Sequence, residues 1–276
     1  MKTALLQLNV SDTPAENLPV TLGLVREAAA AGAEFILTPE VTNCISTSRS
    51  HQNDVLALEA DDITLAALKD EAKVLGVTLL IGSLALKTKD MDGRFANRSF
   101  LISPTGDIIA RYDKIHMFDV QVTPEETWKE SEGYRPGAQA VVADAGFGRI
   151  GLTICYDLRF PLLHNALANA GAQILTVPAA FSPVTGAAHW HALLRARAIE
   201  TGCFVLAPAQ TGEHKSKKHK TRKTYGHSLV IGPWGEVQLD AGEAPGVYMV
   251  DINMGQVSEA RRKVPSLENA RPFDGP

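Results

Sequence analysis

Two short apolar runs constrain the fold most. Glu34-Phe-Ile-Leu-Thr-Pro39 and Ala172-Gln-Ile-Leu-Thr-Val-Pro178 each follow a helical stretch closed by glycine, at Gly32 and Gly171, and each stops at a proline. Neither alternates apolar with polar residues, so neither can keep one face in water. Runs of this kind belong to strands covered on both faces, as in a parallel sheet. Helices are available as cover. One from about Ala15 to Ala31 carries Leu18, Leu22, Val25 and Ala29 on a single face, and another, opened by Asp62, carries Leu65, Leu68, Ala72 and Leu75 before Gly76. Phe160 to Ala170 and Ala188 to Thr201 read the same way, the second with Trp190, Leu194 and Ala198 on one side.

A repeated turn adds a second constraint. Phe95 to Tyr112 predicts a hairpin about Pro104-Thr-Gly-Asp107, and Val230-Ile-Gly-Pro-Trp-Gly-Glu-Val237 repeats its Pro-x-Gly-acid pattern. Further strands are expected at Ala4 to Val10, Val77 to Ser83, Val141 to Ala143, Arg149 to Ile154, Cys203 to Ala209 and Val247 to Ile252. Thr42 to Asp54, Gln121 to Gly137 and Phe181 to Gly186 read as loop. Ser258 to Lys263 reads as a short helix, and residues 264–276 as a C-terminal tail. Strands and helices alternate, with one hairpin in each half. That order predicts two α/β layers stacked sheet to sheet, with internal pseudo-symmetry. No stretch reads as a linker, so residues 1–276 are expected to form one domain.

Composition removes several classes of function. The net charge is −4, and the one basic run, His214 to Lys223, has no interleaved aromatic residues, which argues against nucleic acid. That run is a solvated loop, or a lid that brings cations to an acidic substrate. Its two histidines are separated by lysines, which disfavours a metal site. No apolar run is long enough to cross a bilayer, and the first residues read as a strand, not a signal peptide. The three cysteines, Cys44, Cys155 and Cys203, are odd in number and irregular in spacing, as in a reducing compartment; a cytoplasmic protein is expected.

One of these cysteines stands where the alternation of Ile150, Leu152 and Ile154 gives way to a helical pattern after Pro161. A thiol at a strand-to-helix turn is expected to be exposed and to have its pKa lowered by the helix amides. Equally, most free cysteines are small buried hydrophobes. Glu40 lies just past the carboxyl end of a buried strand, where open α/β sheets place their sites, and Lys114 follows the first hairpin. A carboxylate can act as base to a thiol, and a buried ammonium can hold an oxyanion. His116 and His164 lie near these candidates, so a Cys–His pair stays open. Spacing alone does not choose.

Three motifs carry a resemblance that does. Thr38-Pro-Glu40, Asp113-Lys-Ile-His116 and Gly151-Leu-Thr-Ile-Cys-Tyr-Asp-Leu-Arg-Phe-Pro161 occur in the order of the glutamate, lysine and cysteine motifs of the nitrilase, or carbon–nitrogen hydrolase, superfamily. The resemblance runs over essentially the whole chain. It implies an α-β-β-α sandwich and a Glu40–Lys114–Cys155 triad, with no metal and no organic cofactor. It also implies hydrolysis of a small amide through a thioester. Trp128-Lys-Glu-Ser131 resembles the segment bearing a further site glutamate, assigned to Glu130 with Glu125 and Glu126 nearby. Tyr156, Arg159, Phe181 and Thr185 are expected to touch substrate. The mechanism is expected to need burial that raises the Glu40 pKa toward neutrality.

Within the superfamily the chain is most similar to the Nit branch, through Thr185-Gly-Ala-Ala-His-Trp190, Leu193-Leu-Arg-Ala-Arg-Ala-Ile-Glu-Thr201 and Tyr225-Gly-His-Ser228. The expected substrate is deaminated glutathione. The alternatives are α-ketoglutaramate, taken by the sister ω-amidases, and N-carbamoyl or aliphatic amides taken elsewhere in the superfamily. A non-catalytic protein that keeps the fold is the reading from another class, and the intact triad weighs against it. Ala187, where proline is usual, and the longer basic loop depart from the branch. A homodimer or higher homo-oligomer is expected, with no nucleic-acid or membrane partner.

Overall fold

In the computed structural model the described residues are 1–123, 126–216 and 221–275. Two six-stranded sheets dominate. The first runs Gly246–Asp251, Lys2–Gln7, Phe35–Leu37, Thr78–Leu86, Ala96–Ile102, Ile108–Asp113. The second runs Val141–Asp144, Arg149–Leu152, Ile174–Thr176, Phe204–Ala207, Leu229–Ile231, Val237–Asp240. In each sheet the second, third and fourth strands are parallel and the outer strands antiparallel. The short apolar runs are the central parallel strands, Phe35–Leu37 and Ile174–Thr176, and all six of their residues are fully buried.

Alternation along the strands divides the interior. In the first sheet Leu5, Phe35, Leu37, Leu80, Leu101 and Tyr112 point toward the second sheet and share a core with Ile150, Leu152 and Val205. Ala4, Leu6, Ile36, Leu79 and Phe100 point the other way. They pack beneath the helices Pro14–Ala30 and Ile63–Leu75, through Val25, Ala28, Leu65 and Leu68. The helices Pro161–Asn169 and Pro183–Thr201 cover the second sheet through Leu167, Trp190, Leu194 and Ala198. The architecture is therefore helix, sheet, sheet, helix. Local chemistry sets the ends: Asp62 accepts the Leu65 amide at an N-cap, and Gly76 closes the same helix in the left-handed region.

Several boundaries differ from the sequence reading. The stretch Thr42 to Asp54 contains a helix, Arg49–Val55, capped by Ser48; its apolar content is too low for periodicity to reveal it. Gln121 to Gly137 holds the hairpin Asp119–Thr123/Glu126–Lys129 and a one-turn 3-10 helix, Glu130–Glu132. The helix expected from Ala188 begins at Pro183, since proline suits a first helical turn. Thr211–His214 and Arg222–Tyr225 pair, so the two ends of the basic run, His214 and Arg222-Lys223, lie in paired strands. Lys217, Lys218, His219 and Lys220 lie outside the described residues. In the tail, Ser266–Asn269 is a short helix.

Candidate active site

The parallel strands of both sheets end at one place. Gly82 shows how closely: a Cβ there would lie 2.0 Å from the Thr38 carbonyl oxygen and 2.5 Å from both the Pro39 carbonyl and Pro178 Cβ. Glu40 and Cys155 emerge beside this contact, from different sheets. Glu40 follows Phe35–Leu37. Cys155 begins a 3-10 turn, Cys155–Arg159, with its own backbone at φ 49° and its amide donated to the Pro178 carbonyl (2.9 Å). A β-carbon in the left-handed region is strained, and such strain is characteristic of side chains aimed at a site. Lys114 follows Ile108–Asp113, and its amide bonds the Asn97 carbonyl (3.0 Å).

Glu40 is 4% exposed, Lys114 2% and Cys155 7%. Lys114 Nζ donates to Glu40 Oε1 (2.9 Å) and to both Glu130 oxygens (3.0 and 2.9 Å). Asn97 Nδ2 also donates to Glu40 Oε1 (2.9 Å), and the Ala180 amide donates to Oε2 (2.9 Å). Glu130 is fixed in turn by the Phe118 amide (2.7 Å). Cys155 lines the same cavity as Glu40, Lys114, Glu130 and Ala180, and its thiol feels both the Glu40 carboxylate and the Lys114 ammonium. The structure thus brings Glu40, Lys114, Glu130 and Cys155 into one contiguous network. Of the alternative glutamates, Glu125 and the side chain of Glu126 lie outside the described residues.

The electrostatics correct two expectations. The Cys155 thiol is not exposed, and its pKa is not lowered. Burial and then the neighbouring Glu40 carboxylate push it well above the ordinary cysteine range, against Lys114 and the Ala180 amide. Glu40 is not raised toward neutrality. Burial is the largest single influence and acts upward. The Lys114 ammonium, Arg222 and hydrogen bonds together outweigh it, so the carboxyl stays below its usual range. Lys114 is held well above the ordinary lysine range: burial opposes this, but Glu130, Glu40 and Cys155 prevail. The resting site is therefore a neutral thiol beside an ionised carboxylate, with an ammonium between two carboxylates.

The two histidines kept open as partners are engaged elsewhere. His116 Nδ1 lies 2.7 Å from Asp157 Oδ1, and its ring stacks on Phe160 at 3.5 Å. His164 is buried on the Pro161–Asn169 helix and donates to the Phe160 carbonyl (3.1 Å); burial lowers it to about 4. Asp157 ties the lysine segment to the cysteine turn. Fully buried, it accepts from the His116 amide (3.0 Å) and His116 Nδ1 on one oxygen. On the other it accepts from Tyr112 Oη (2.7 Å) and the Ile154 amide (2.9 Å).

The network opens into a cavity of about 910 Å³. Tyr156, Phe181 and Thr185 line it, and Thr185 Oγ1 is buried without a hydrogen-bond partner. Arg159 does not line it. Its guanidinium lies over the rings of Tyr156 and Phe181 and against His189. Among the described residues the lining cations are Arg49, Lys129, Arg222 and Lys223, besides Lys114. Arg222 lies over the Trp128 ring (4.9 Å) and donates to the Ala180 carbonyl (2.6 Å). Sequence reasoning missed Asn97 and Asp157. An asparagine on the inward register of a buried strand (Asn97, Ser99, Leu101) was a signal for the first. The single acid inside the cysteine motif was a signal for the second.

Known proteins share this architecture and sequence. A model of the family described as carbon-nitrogen hydrolase matches residues 2–262. A protein of Synechocystis sp. named deaminated glutathione amidase is 38% identical over 268 residues, 96% of each chain. Among solved structures, the C. elegans NitFhit protein matches with a TM-score of 0.90 and 32% identity, over 98% of this chain but 65% of that longer one. Saccharomyces cerevisiae Nit3, described as a member of branch 10 of the nitrilase superfamily, matches with a TM-score of 0.84 and 26% identity, over 96% of this chain and 94% of that one.

Proposed function

The chain belongs to the carbon–nitrogen hydrolase family, and on that premise we propose that it is a cysteine-dependent amidase acting on a small carboxylate-bearing amide, deaminated glutathione first among them. The observation that carries this is the convergence of Glu40, Lys114 and Cys155, all buried, on one cavity, with Lys114 Nζ 2.9 Å from Glu40 Oε1 and the carboxylate ionised beside a neutral thiol. Glu40 takes the thiol proton as sulfur attacks the amide carbonyl carbon, so no free thiolate is needed at rest. The oxyanion is held by Lys114 Nζ and the Tyr156 amide; the Cys155 amide is committed to Pro178. Protonated Glu40 gives its proton to the departing nitrogen, ammonia leaves, and a Cys155 thioester remains. Glu40 then draws a proton from water, which attacks the thioester, and the sulfur leaves to regain its proton from Glu40. Glu130 keeps Lys114 charged and in place.

Three features support this substrate. The relative bearing the activity's name aligns over 96% of both chains. The cavity is far larger than a five-carbon keto amide requires. Its lining carries Arg49, Lys129, Arg222 and Lys223, which suit carboxylates distant from the reacting amide. The protein suits a reducing, cytoplasmic setting, with its three cysteines free. We also place its self-association on the helices Pro161–Asn169 and Pro183–Thr201, which expose Leu162, Val184 and Ile199.

The test is ammonia release from deaminated glutathione and from α-ketoglutaramate, side by side. Preference for the first, with KM raised about 10-fold by Arg222→Gln and kcat little changed, supports the reading. Preference for the second assigns an ω-amidase. Activity on neither, but on N-carbamoyl or aliphatic amides, removes the acidic-substrate reading.

A further inference from the structure

We propose that His191, His227 and Asp240 form a surface site for one divalent transition-metal ion of the zinc, nickel or copper class, outside the catalytic cavity. His191 Nε2 lies 3.0 Å from Asp240 Oδ2, and His227 Nδ1 lies 2.8 Å from Asp240 Oδ1. The three donor atoms all fall within 4.8 Å of one another. A tetrahedral ion with ligands at about 2.0–2.2 Å holds its donors roughly 3.3 Å apart, so the two histidine–carboxylate distances must widen by a few tenths of an ångström and the wider spacings within the cluster must shrink. Two imidazoles and one carboxylate suit these ions and not magnesium or calcium, which take oxygen shells.

The donors come from three elements: the Pro183–Thr201 helix, the segment after Arg222–Tyr225, and the end of Val237–Asp240. Their supports are already in place. The His227 ring stacks on Tyr225 at 4.5 Å. Its backbone, at φ 53°, is held by its amide donating a hydrogen bond to the Gly242 carbonyl (2.6 Å) and by Trp190 Nε1 donating to its carbonyl (2.8 Å). The Gly242 amide donates to Asp240 Oδ1 (2.9 Å). Such outer contacts orient ligands and sustain affinity. The side chains are 36%, 22% and 34% exposed, which gives an ion a route in and leaves positions for water.

The ion takes no part in amide chemistry; its effect is on the cavity wall. Trp190 packs on Phe181 at 4.8 Å, and the Tyr225 amide bonds the Phe181 carbonyl (3.0 Å). Phe181 lines the cavity, so occupancy ties together the two supports of that wall.

The experiment uses chelator-treated Cys155→Ala protein, which removes the thiol most open to metal; Cys44 and Cys203 are 1% and 0% exposed. Zn²⁺ is titrated calorimetrically and Co²⁺ by visible absorption. The expected result is one saturable site and a rise in Tm with Zn²⁺. Affinity should fall at least ~10-fold in both His191→Ala and Asp240→Asn and stay unchanged in the neighbouring His189→Ala. His191 lies on the outer surface of its helix, 36% exposed, and melting without metal, together with the oligomeric state of each variant, checks that its truncation leaves the fold and assembly intact. Absence of saturable binding overturns the proposal. So does binding that neither His191→Ala nor Asp240→Asn weakens.

Discussion

The two halves of the sandwich are the same construction with different endings. Each sheet has the same order of parallel and antiparallel strands, and each closes in a hairpin with the same bulge, at Leu101/Ile102 and Val230/Ile231. The turns match in their backbone hydrogen bonds. Ser103 and Asp107 pair across one as Gly232 and Glu236 do across the other, with Gly106 at φ 84° and Gly235 at φ 88°. Superposing the strand registers sets Glu40 against Ala179, Cys155 against Leu8 and Lys114 against Glu243. Each half therefore offers the same strand ends, but only one member of each pair is reactive. Topology builds the pocket; the asymmetry of its strand ends makes the chemistry.

That asymmetry is broken most severely by Lys114→Met. The substitution leaves the Glu40 and Glu130 carboxylates buried with no cation between them, which is expected to cost about 3–5 kcal/mol of stability and to abolish turnover. Denaturant melts at pH 7 check the first and ammonia release the second; lowering the pH should restore part of the loss as a carboxylate protonates.

Glu40→Gln keeps the shape and removes the base, so kcat should fall ~10²–10⁴-fold with KM little changed. The same variant tests the linkage. The folded pKa of Glu40 lies below its unfolded value, so its contribution is present above the unfolded pKa, near 4.5, and is lost as pH falls through the folded value. Wild type should therefore lose more stability than Glu40→Gln in melts taken below pH 4.5. Ala179, its counterpart, has no charge to lose.

Asp157→Asn sharpens the comparison at a middle scale. It weakens the link from the lysine segment to the cysteine turn, and kcat should drop ~10–100-fold while Cys155 stays alkylatable. Steady-state kinetics with a timed alkylation check both. Smallest is the paired test of the turns. Gly106→Ala and Gly235→Ala each force a side chain into the left-handed region, at about 1–2 kcal/mol. Gly235→Ala should lose somewhat more in chemical melts, because its Cβ also meets Ile199 at 2.6 Å while that of Gly106 meets its neighbours at 3.0 Å or beyond; no loss at either glycine would break the equivalence of the turns.

Much of this was legible in the chain. The two apolar runs ending at Pro39 and Pro178, and the repeated Pro-x-Gly turn, carry the doubled architecture, because burial on both faces and a left-handed turn residue leave a local mark. Glu40, Lys114 and Cys155 could be placed at strand ends, and the family resemblance joined them. Their electrostatics were not legible. Whether a carboxyl is raised by burial or lowered by an ammonium depends on a 2.9 Å contact across 74 residues of sequence. The hairpin Asp119–Thr123/Glu126–Lys129 was missed although Val120 and Val122 alternate with polar residues, because its arms are only five and four residues long; the helix Arg49–Val55 was hidden by polar residues that carry no period. Arg159, expected at substrate, lies over the Tyr156 and Phe181 rings; the basic run, read as a possible source of cations, does bring Arg222 and Lys223 to the cavity, but nothing in its sequence singled out those two.

The central claim is that Cys155, activated by Glu40, carries the acyl group. Its most direct test is the rate of ammonia release by Cys155→Ala, on the amide that wild type turns over fastest, with thermal melting to confirm the fold. A loss of at least ~10⁴-fold at unchanged Tm is the expected result. A folded variant that releases ammonia within tenfold of the wild-type rate would contradict it.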